Sequence, residues 1–267
     1  MKILDFNIHL PPHPNLLHEV NTTAYDTFSS LSNIKGMLSS LNVSGGNLMI
    51  LDTEFLTRGF SEQLLQDIKA TNLKCTVMID PRHADAFDLV DKAASLGISG
   101  IKFHPYLLNL ADHDFLRAVA VANHAGKLGL WTAVCCSYGT LKMYAVSGVR
   151  LLIALAEVIK TPIIALHTGG KLALDVMVIA LDTSNVFLDT SFSIPYWIGS
   201  SVEQDIAFAI RKVGAKRCLF GSDHPYMDLS NSIQQTLDFL KKYQFSDMEI
   251  EQIFYKTTEE LFYNCHN

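Results

Sequence analysis

Long apolar runs are what this 267-residue sequence most lacks. Fully apolar stretches such as VMVIAL, at 176–181, fall far short of a membrane span, which argues against a bilayer protein. Clusters of basic residues are missing too. The 21 Lys and Arg are scattered and the formal net charge is -6, so the electrostatic footprint of a nucleic-acid binder is absent. The five Cys are odd in number and irregularly spaced, with no CxxC pair. That pattern fits reduced thiols rather than a disulfide framework. The first apolar stretch carries Asp5 and has no signal-peptide layout, so a cytoplasmic location is the expectation. No low-complexity or Pro/Gly/Ser-rich stretch divides the chain, and one domain over 1–267 is expected.

What is present is alternation. Short, β-branched apolar runs lie at 3–9, 47–52, 74–79, 100–104, 130–135, 162–167, 186–190 and 217–222. Segments with helical periodicity separate them, among them FDLVDKAASLG, HDFLRAVAVANHAGKLG and EQDIAFAIRKVGA. Eight strand–helix units in a chain of this size predict an α/β fold, the (β/α)8 barrel. An open doubly wound sheet would need a Gly-rich first crossover, and HLPPHPNLLHEV is not one. Residues 11–23 read as a long loop over the barrel mouth. Two closing helices follow the eighth strand, the second opened by a capping box of Ser246 and Glu249.

In the first strand, LDFNIH, strict alternation would place Asp5, Asn7 and His9 on one face. Chemistry in such barrels gathers at the carboxyl ends of the strands. There the sequence sets Asn7 and His9, Lys102 and His104, Cys135 and Cys136, His167, Asp189 with Ser191, and Asp223 with His224. A Lys facing a barrel interior must be paired, neutralised or modified, which makes Lys102 notable. Other roles compete: Asp223 as a helix cap, Cys135 and Cys136 as small core residues, Asp189 as a partner of loop backbone. His13 and His224 are loop residues of unread direction. Tyr196 and Trp197 either wall a substrate or pack beneath their loop. Arg82, Lys102 and Lys171 are candidates to anchor a single carboxylate.

ILDFNIH, GIKFHP, IIALHTGG, VFLDTS and CLFGSDHP, in that order, resemble the amidohydrolase superfamily, and most closely its amidohydrolase-related branch of TIM-barrel metal-dependent hydrolases. The resemblance runs from the first strand to LFYN near the C-terminus. It implies one or two divalent metals, commonly zinc, held by an HxH pair, further His residues and a strand-eight Asp that accepts a proton from metal-bound water. Carried onto this chain, His9 takes the second place of the pair, Lys102 the strand-four position, His167 the strand-six His and Asp223 the strand-eight Asp. Two positions depart from the pattern: Asn7 stands for the first His, and Cys135 for the strand-five His.

The resemblance therefore implies a hydrolase of a small-molecule amide, lactone or ester at an atypical single-metal site. His9, His167, Asp223 and Cys135 are the expected metal ligands. Asp223, Lys102 and His104 are the expected catalytic residues, and Asn7, Ser191, His224 and Trp197 the expected substrate contacts. It also permits a metal-independent lactonase, a decarboxylase, or a barrel that binds ligands without catalysis. A homodimer is compatible with the sequence.

Overall fold

The computed structural model describes residues 1–10, 24–58, 61–137 and 141–264. The expected loop at 11–23, with His13, lies outside them. Eight parallel strands pair in sequence order. They are β1 (Leu4–His9), β2 (Gly45–Ile50), β3 (Leu73–Met78), β4 (Gly100–Phe103), β5 (Trp131–Cys135), β6 (Ile163–Leu166), β7 (Val186–Asp189) and β8 (Cys218–Leu219). The long helices lie between and after them: α1 (Ala24–Ser40), α2 (Ser61–Lys69), α3 (Ala86–Ser95), α4 (Phe115–Lys127), α5 (Gly148–Ala156), α6 (Ala173–Asp182), α7 (Ser201–Val213) and α8 (Leu229–Lys242). This is the (β/α)8 architecture that the alternation predicts. Among the described residues no helix is long and apolar enough to cross a membrane.

The eighth strand is shorter than its apolar run predicts, because its continuation finds other partners. The amide of Phe220 donates to the Ile253 carbonyl (2.9 Å), and the amide of Ser222 donates to the Asp5 carboxylate (2.9 Å). The barrel is closed by backbone bonds from Phe6 to Phe220 (2.9 Å), from Asp223 to Asn7 (2.9 Å) and from His9 to His224 (2.8 Å). On the other side of β1, the pairing with β2 slips by one residue between Asp5 and Ile8. Such a bulge breaks the period-two alternation. Phe6 consequently reaches the Trp131 ring (centroids 5.7 Å apart), while Asp5 stays at the seam and accepts from the amides of both Asn7 (3.0 Å) and Ser222. The shared face expected for Asp5, Asn7 and His9 is therefore lost for Asp5.

Apolar residues form two bodies. One fills the space between the strands and the helices around them. The other, inside the barrel, joins Phe6, Met49, Trp131, Ala133, Ile164, Leu166 and Leu219 to Leu261 and Phe262 of the last helix. That helix (Thr257–Asn264) follows a π turn (Gln252–Lys256), and Phe262 lies beside Leu4, Asn72 and Lys74 at the strand starts. The C-terminus thus plugs the end opposite the strand termini. Its short leading helix, Asp247–Glu251, opens with the expected capping box: the Ser246 amide donates to the Glu249 carboxylate (2.7 Å) and the Glu249 amide to Ser246 Oγ (3.4 Å). Trp131 is fully buried and donates from its indole nitrogen to Thr76 Oγ1 (2.9 Å). Gly100 makes room for it, since a Cβ there would sit 2.0 Å from that nitrogen.

Burial pushes the Asp5 carboxyl up to about 7. The folded state then binds more protons than the unfolded chain between pH 3.8 and about 7, so Asp5 costs stability as the pH rises through that window. Asp5→Asn keeps an oxygen acceptor for the two amides and should gain on the parent protein above pH 7, by up to about 4 kcal/mol. Urea unfolding of both proteins at pH 5 and pH 8 reads the difference. Trp131→Ala should cost about 3–5 kcal/mol in the same assay, because the barrel interior cannot collapse onto the space left.

Candidate active site

The strands deliver their polar ends to one mouth. His9 ends β1, Lys102 lies in β4 with His104 just after it, Cys135 ends β5, His167 follows β6, Asp189 ends β7 and Asp223 follows β8. His9, His104, Cys135, His167 and Asp223 each keep 4–5% of their surface exposed, whereas Asn7, Lys102, Asp189 and Ser191 keep 1% or less. The first five therefore form the floor that a small molecule can touch, and the other four support it from below.

The support is a hydrogen-bond network. The Asn7 amide nitrogen faces three acceptors: Ser191 Oγ (2.8 Å), Asp223 Oδ1 (3.2 Å) and Asp189 Oδ2 (3.3 Å). Only an NH2 group suits that environment, which sets the orientation of the side chain. Ser191 donates from Oγ to Asp189 Oδ2 (2.6 Å), and its amide donates to Asp189 Oδ1 (2.7 Å). His167 turns Nδ1 to the carbonyl and the hydroxyl of Ser191, both at 3.1 Å, leaving Nε2 free to face the mouth. The network is tight: a Cβ on Gly221 would lie 2.8 Å from Asp189 Oδ1 and 2.9 Å from Asn7 Cβ. His167 and Asp223 both have positive φ, 64° and 65°, a conformation that costs non-glycine residues about 1–3 kcal/mol each. The bonds of the network and the barrel seam offset that strain.

Charge is divided between the two sides of the floor. Burial pushes the Asp223 carboxyl up, but His167, His9 and Lys102 outweigh it and hold the carboxyl below its ordinary range. His9 Nε2 lies 3.0 Å from Asp223 Oδ1. Burial, reinforced by Lys102, pulls His9 down to about 4, so this imidazole is neutral at pH 7 and donates to the carboxylate. Across the mouth the Cys135 thiol shares a hydrogen bond with Ser137 Oγ (3.2 Å), and the imidazoles of His104 and His167 act on its charge. Burial alone would push it up; the two imidazoles reverse that and bring it well below the ordinary thiol range. The same thiol, with Asp223 and Asp189, overcomes burial at His167 and raises it to about 9. Cys136, next in the chain, goes the other way because burial meets no such partner. Lys102 is lowered by burial, only partly offset by Cys135, Asp223 and Asp189. Its Nζ has no hydrogen-bond partner among the described residues.

Some sequence candidates stand elsewhere. Trp197 packs against the core between strands and helices, and the ring that meets His167 is Phe192, at 6.0 Å. His224 contributes its carbonyl to the β1 seam, while its half-buried side chain interacts with Asp228. Arg82 is paired with Asp80 (2.8 Å) and donates to the carbonyls of Leu108 and Asn109, so it serves the loop after β4. Lys171 donates to Tyr144 (2.8 Å). Two tyrosines not singled out from the sequence do reach the site. Tyr106 sets its ring edgewise to His104 at 4.4 Å, and Tyr226 to His9 at 5.0 Å. Their signal was a repeated tripeptide: His-Pro-Tyr occurs at 104–106 and at 224–226, after opposite strands of the barrel.

A divalent metal fits these residues poorly. Among the described residues no group of three or more His, Cys, Asp or Glu side chains is arranged to hold one. Asn7 aims N–H donors, not a lone pair, at Asp223 and Asp189. Lys102 also brings a basic group to the same carboxylates. His9, His167, Asp223 and Cys135 line one mouth, but as a carboxylate–imidazole side and a thiol–imidazole side rather than as a cage.

Comparison with known proteins fits this geometry. A model of the amidohydrolase family matches residues 49–263. No curated protein sequence matches. Among solved structures, a probable 2-pyrone-4,6-dicarboxylic acid hydrolase from Acinetobacter baumannii with bound citric acid is 15% identical at a TM-score of 0.69, covering 98% of this chain and 99% of that one. A zinc-bound amidohydrolase from Burkholderia multivorans is 12% identical at a TM-score of 0.71, with 98% and 99% covered. A dihydroxybenzoic acid decarboxylase from Polaromonas sp. JS666, with manganese and 2-nitroresorcinol bound, is 13% identical at 0.66, with 98% and 96% covered. At such identities the likeness is one of fold. The family match spans most of the chain, and the protein therefore belongs to the amidohydrolase family of enzymes.

Proposed function

We propose that this enzyme hydrolyses a carbonyl–oxygen bond, in a lactone or ester of a small molecule, with side chains rather than a metal ion activating the water. The observation that carries this reading is the placement of Asp223. It is a buried carboxylate held charged, and the bonds from His9 and Asn7 both fall on Oδ1. Oδ2 is left to take a proton from water. His104, on the neighbouring side of the mouth, supplies a donor for the oxyanion that forms as the carbonyl is attacked, and Lys102 lends electrostatic support from beneath. Lactones and esters suit such a site because their leaving alkoxides need less assistance than amines. A 2-pyrone, the ring in the name of the Acinetobacter relative's substrate, is itself a cyclic ester.

A single divalent ion is the second reading, favoured by one observation. His167 has Nδ1 tied to a backbone carbonyl, the arrangement that orients many metal-bound imidazoles. Zinc and manganese are bound in the Burkholderia and Polaromonas relatives. In this reading His9, His167 and Asp223 would hold the ion, which would lower the pKa of a bound water.

Dihydrocoumarin, a six-membered lactone, serves as the probe. Turnover should survive chelation, metal analysis of protein purified without chelators should find far less than one ion per chain, and Asp223→Asn should lower kcat about 10²–10⁴-fold. Stoichiometric zinc or manganese with activity lost on chelation would establish the second reading instead. Release of CO2 from 2,6-dihydroxybenzoate without lactone turnover would move the reaction to decarboxylation.

A further inference from the structure

Helix α6 lacks the polar outer face that a barrel helix needs in water. Its sequence, ALDVMVIALD, holds eight apolar residues and two aspartates. A helix that is apolar nearly all round is ordinarily covered on every side. Here Ala173, Val176 and Ala180 pack on the core, but Leu174, Val178 and Leu181 face away from it and are 41–60% exposed. By contrast, every exposed residue of α8 is polar. Ile153 of α5 and Val158 just after it are exposed as well, and the two helices border an open groove of about 500 Å3 to which Ile153, Val178 and Leu181 contribute. The rim of this patch is charged and divided. The α5 edge has Arg150 at its start, where it also pairs with Asp112, and Lys160 just past its end, with Glu157 between them. The α6 edge has Asp175 near its start and Asp182 at its end. All of these are exposed. The strands are parallel, so the helices that connect them run side by side in one direction.

We propose that this face is the interface of a homodimer, with a two-fold axis running along the groove between α5 and α6. Such an axis lays α5 of one copy on α6 of the other, pointing the same way. Ile153 then meets the partner's Val178 in the middle. Arg150 meets the partner's Asp175 at the leading ends, and Lys160 meets the partner's Asp182 at the trailing ends. Each contact occurs twice. A two-fold axis across the helices would instead lay α6 on its own copy and set the partner's Asp182 against Asp175, which is repulsive. The size fits as well. The exposed parts of Ile153, Val158, Leu174, Val178 and Leu181 come to roughly 400 Å2, about half of the ~800 Å2 that each side of a standard stable interface buries. Such interfaces are only a little more than half apolar, so the charged rim supplies the remainder. Glu157, Asp175 and Asp182 make an anionic lipid surface a poor occupant. The face lies on the outer helices rather than at the mouth, so the proposal stands apart from the hydrolase reading.

Sedimentation velocity of the intact protein at micromolar concentration tests this. The wild type should have twice the 29.7 kDa mass of one chain. Val178→Arg puts a charge at the centre of the interface and should raise the dissociation constant at least about 100-fold, leaving a folded monomer by circular dichroism. Lys160→Glu and Asp182→Lys should each weaken the dimer about tenfold, and the two together should restore it to within about threefold of the parent, because the exchange re-pairs the trailing ends with their charges reversed. A wild type that stays monomeric overturns the proposal, and so does a dimer that Val178→Arg leaves intact. Single charge variants that weaken the dimer with no recovery in the double variant overturn the two-fold arrangement. A monomer that floats with phosphatidylcholine vesicles, and ceases to in Val178→Arg, would assign the face to a bilayer instead. Should Val178→Arg not fold, the charge variants decide alone.

Discussion

One oxygen of the Asp5 side chain, accepting from the amides of both Asn7 and Ser222, is the interaction on which the rest of this barrel depends. The eighth strand is too short to close the sheet by ladder bonds alone. A side chain substitutes for part of the ladder, and the one-residue slip in β1 is what turns the Asn7 amide towards it. That slip has a second result. It separates Asp5, which stays at the seam, from Asn7 and His9, which meet Asp223 across it. Closure of the fold and assembly of the carboxylate side of the mouth are one event.

From that seam the site divides into two halves of different chemistry. On one, a carboxylate is held charged by His167, His9 and Lys102, and the Asn7 amide donates to it. On the other, a thiol faces two imidazoles, one oriented through Ser191 by Asp189. Lys102 serves both, reaching Asp223 and Cys135 from below. Burial would by itself neutralise each of these groups. What keeps the Asp223 carboxyl and the Cys135 thiol below their ordinary ranges despite burial is that each has partners of opposite tendency. Asn7 belongs to the same logic, because its NH2 group joins three oxygens that would otherwise crowd one another.

Two of the solved relatives carry zinc or manganese, and Asn7 and Cys135 are the positions at which this chain departs from the metal-binding pattern that its resemblance implies. The two substitutions complement each other. An amide donor takes the place of a lone pair on the first strand, and a thiol takes the place of an imidazole on the fifth.

The eight-strand alternation, the capping box at Ser246 and the grouping of His9, Lys102, His104, Cys135, His167 and Asp223 at strand ends are all legible in the amino-acid order. They depend on periodicity and on which residues end each strand, and those are local properties. The bulge in β1 is not legible, since it is set by what Ser222 and Gly46 present on either side. Nor is the packing of Trp197 on the core, or the position of Phe192 beside His167, because the direction of a loop side chain follows from packing. The tyrosines at 106 and 226 lay in plain view as a repeated tripeptide, but nothing local shows that the barrel turns both rings to one mouth. Sequence alone determined the barrel and the inventory of its active end. Tertiary structure decided the pairing, setting Ser191 against His167 and Asp223 against His9, because hydrogen bonds and charge interactions act between neighbours in space that lie far apart along the chain.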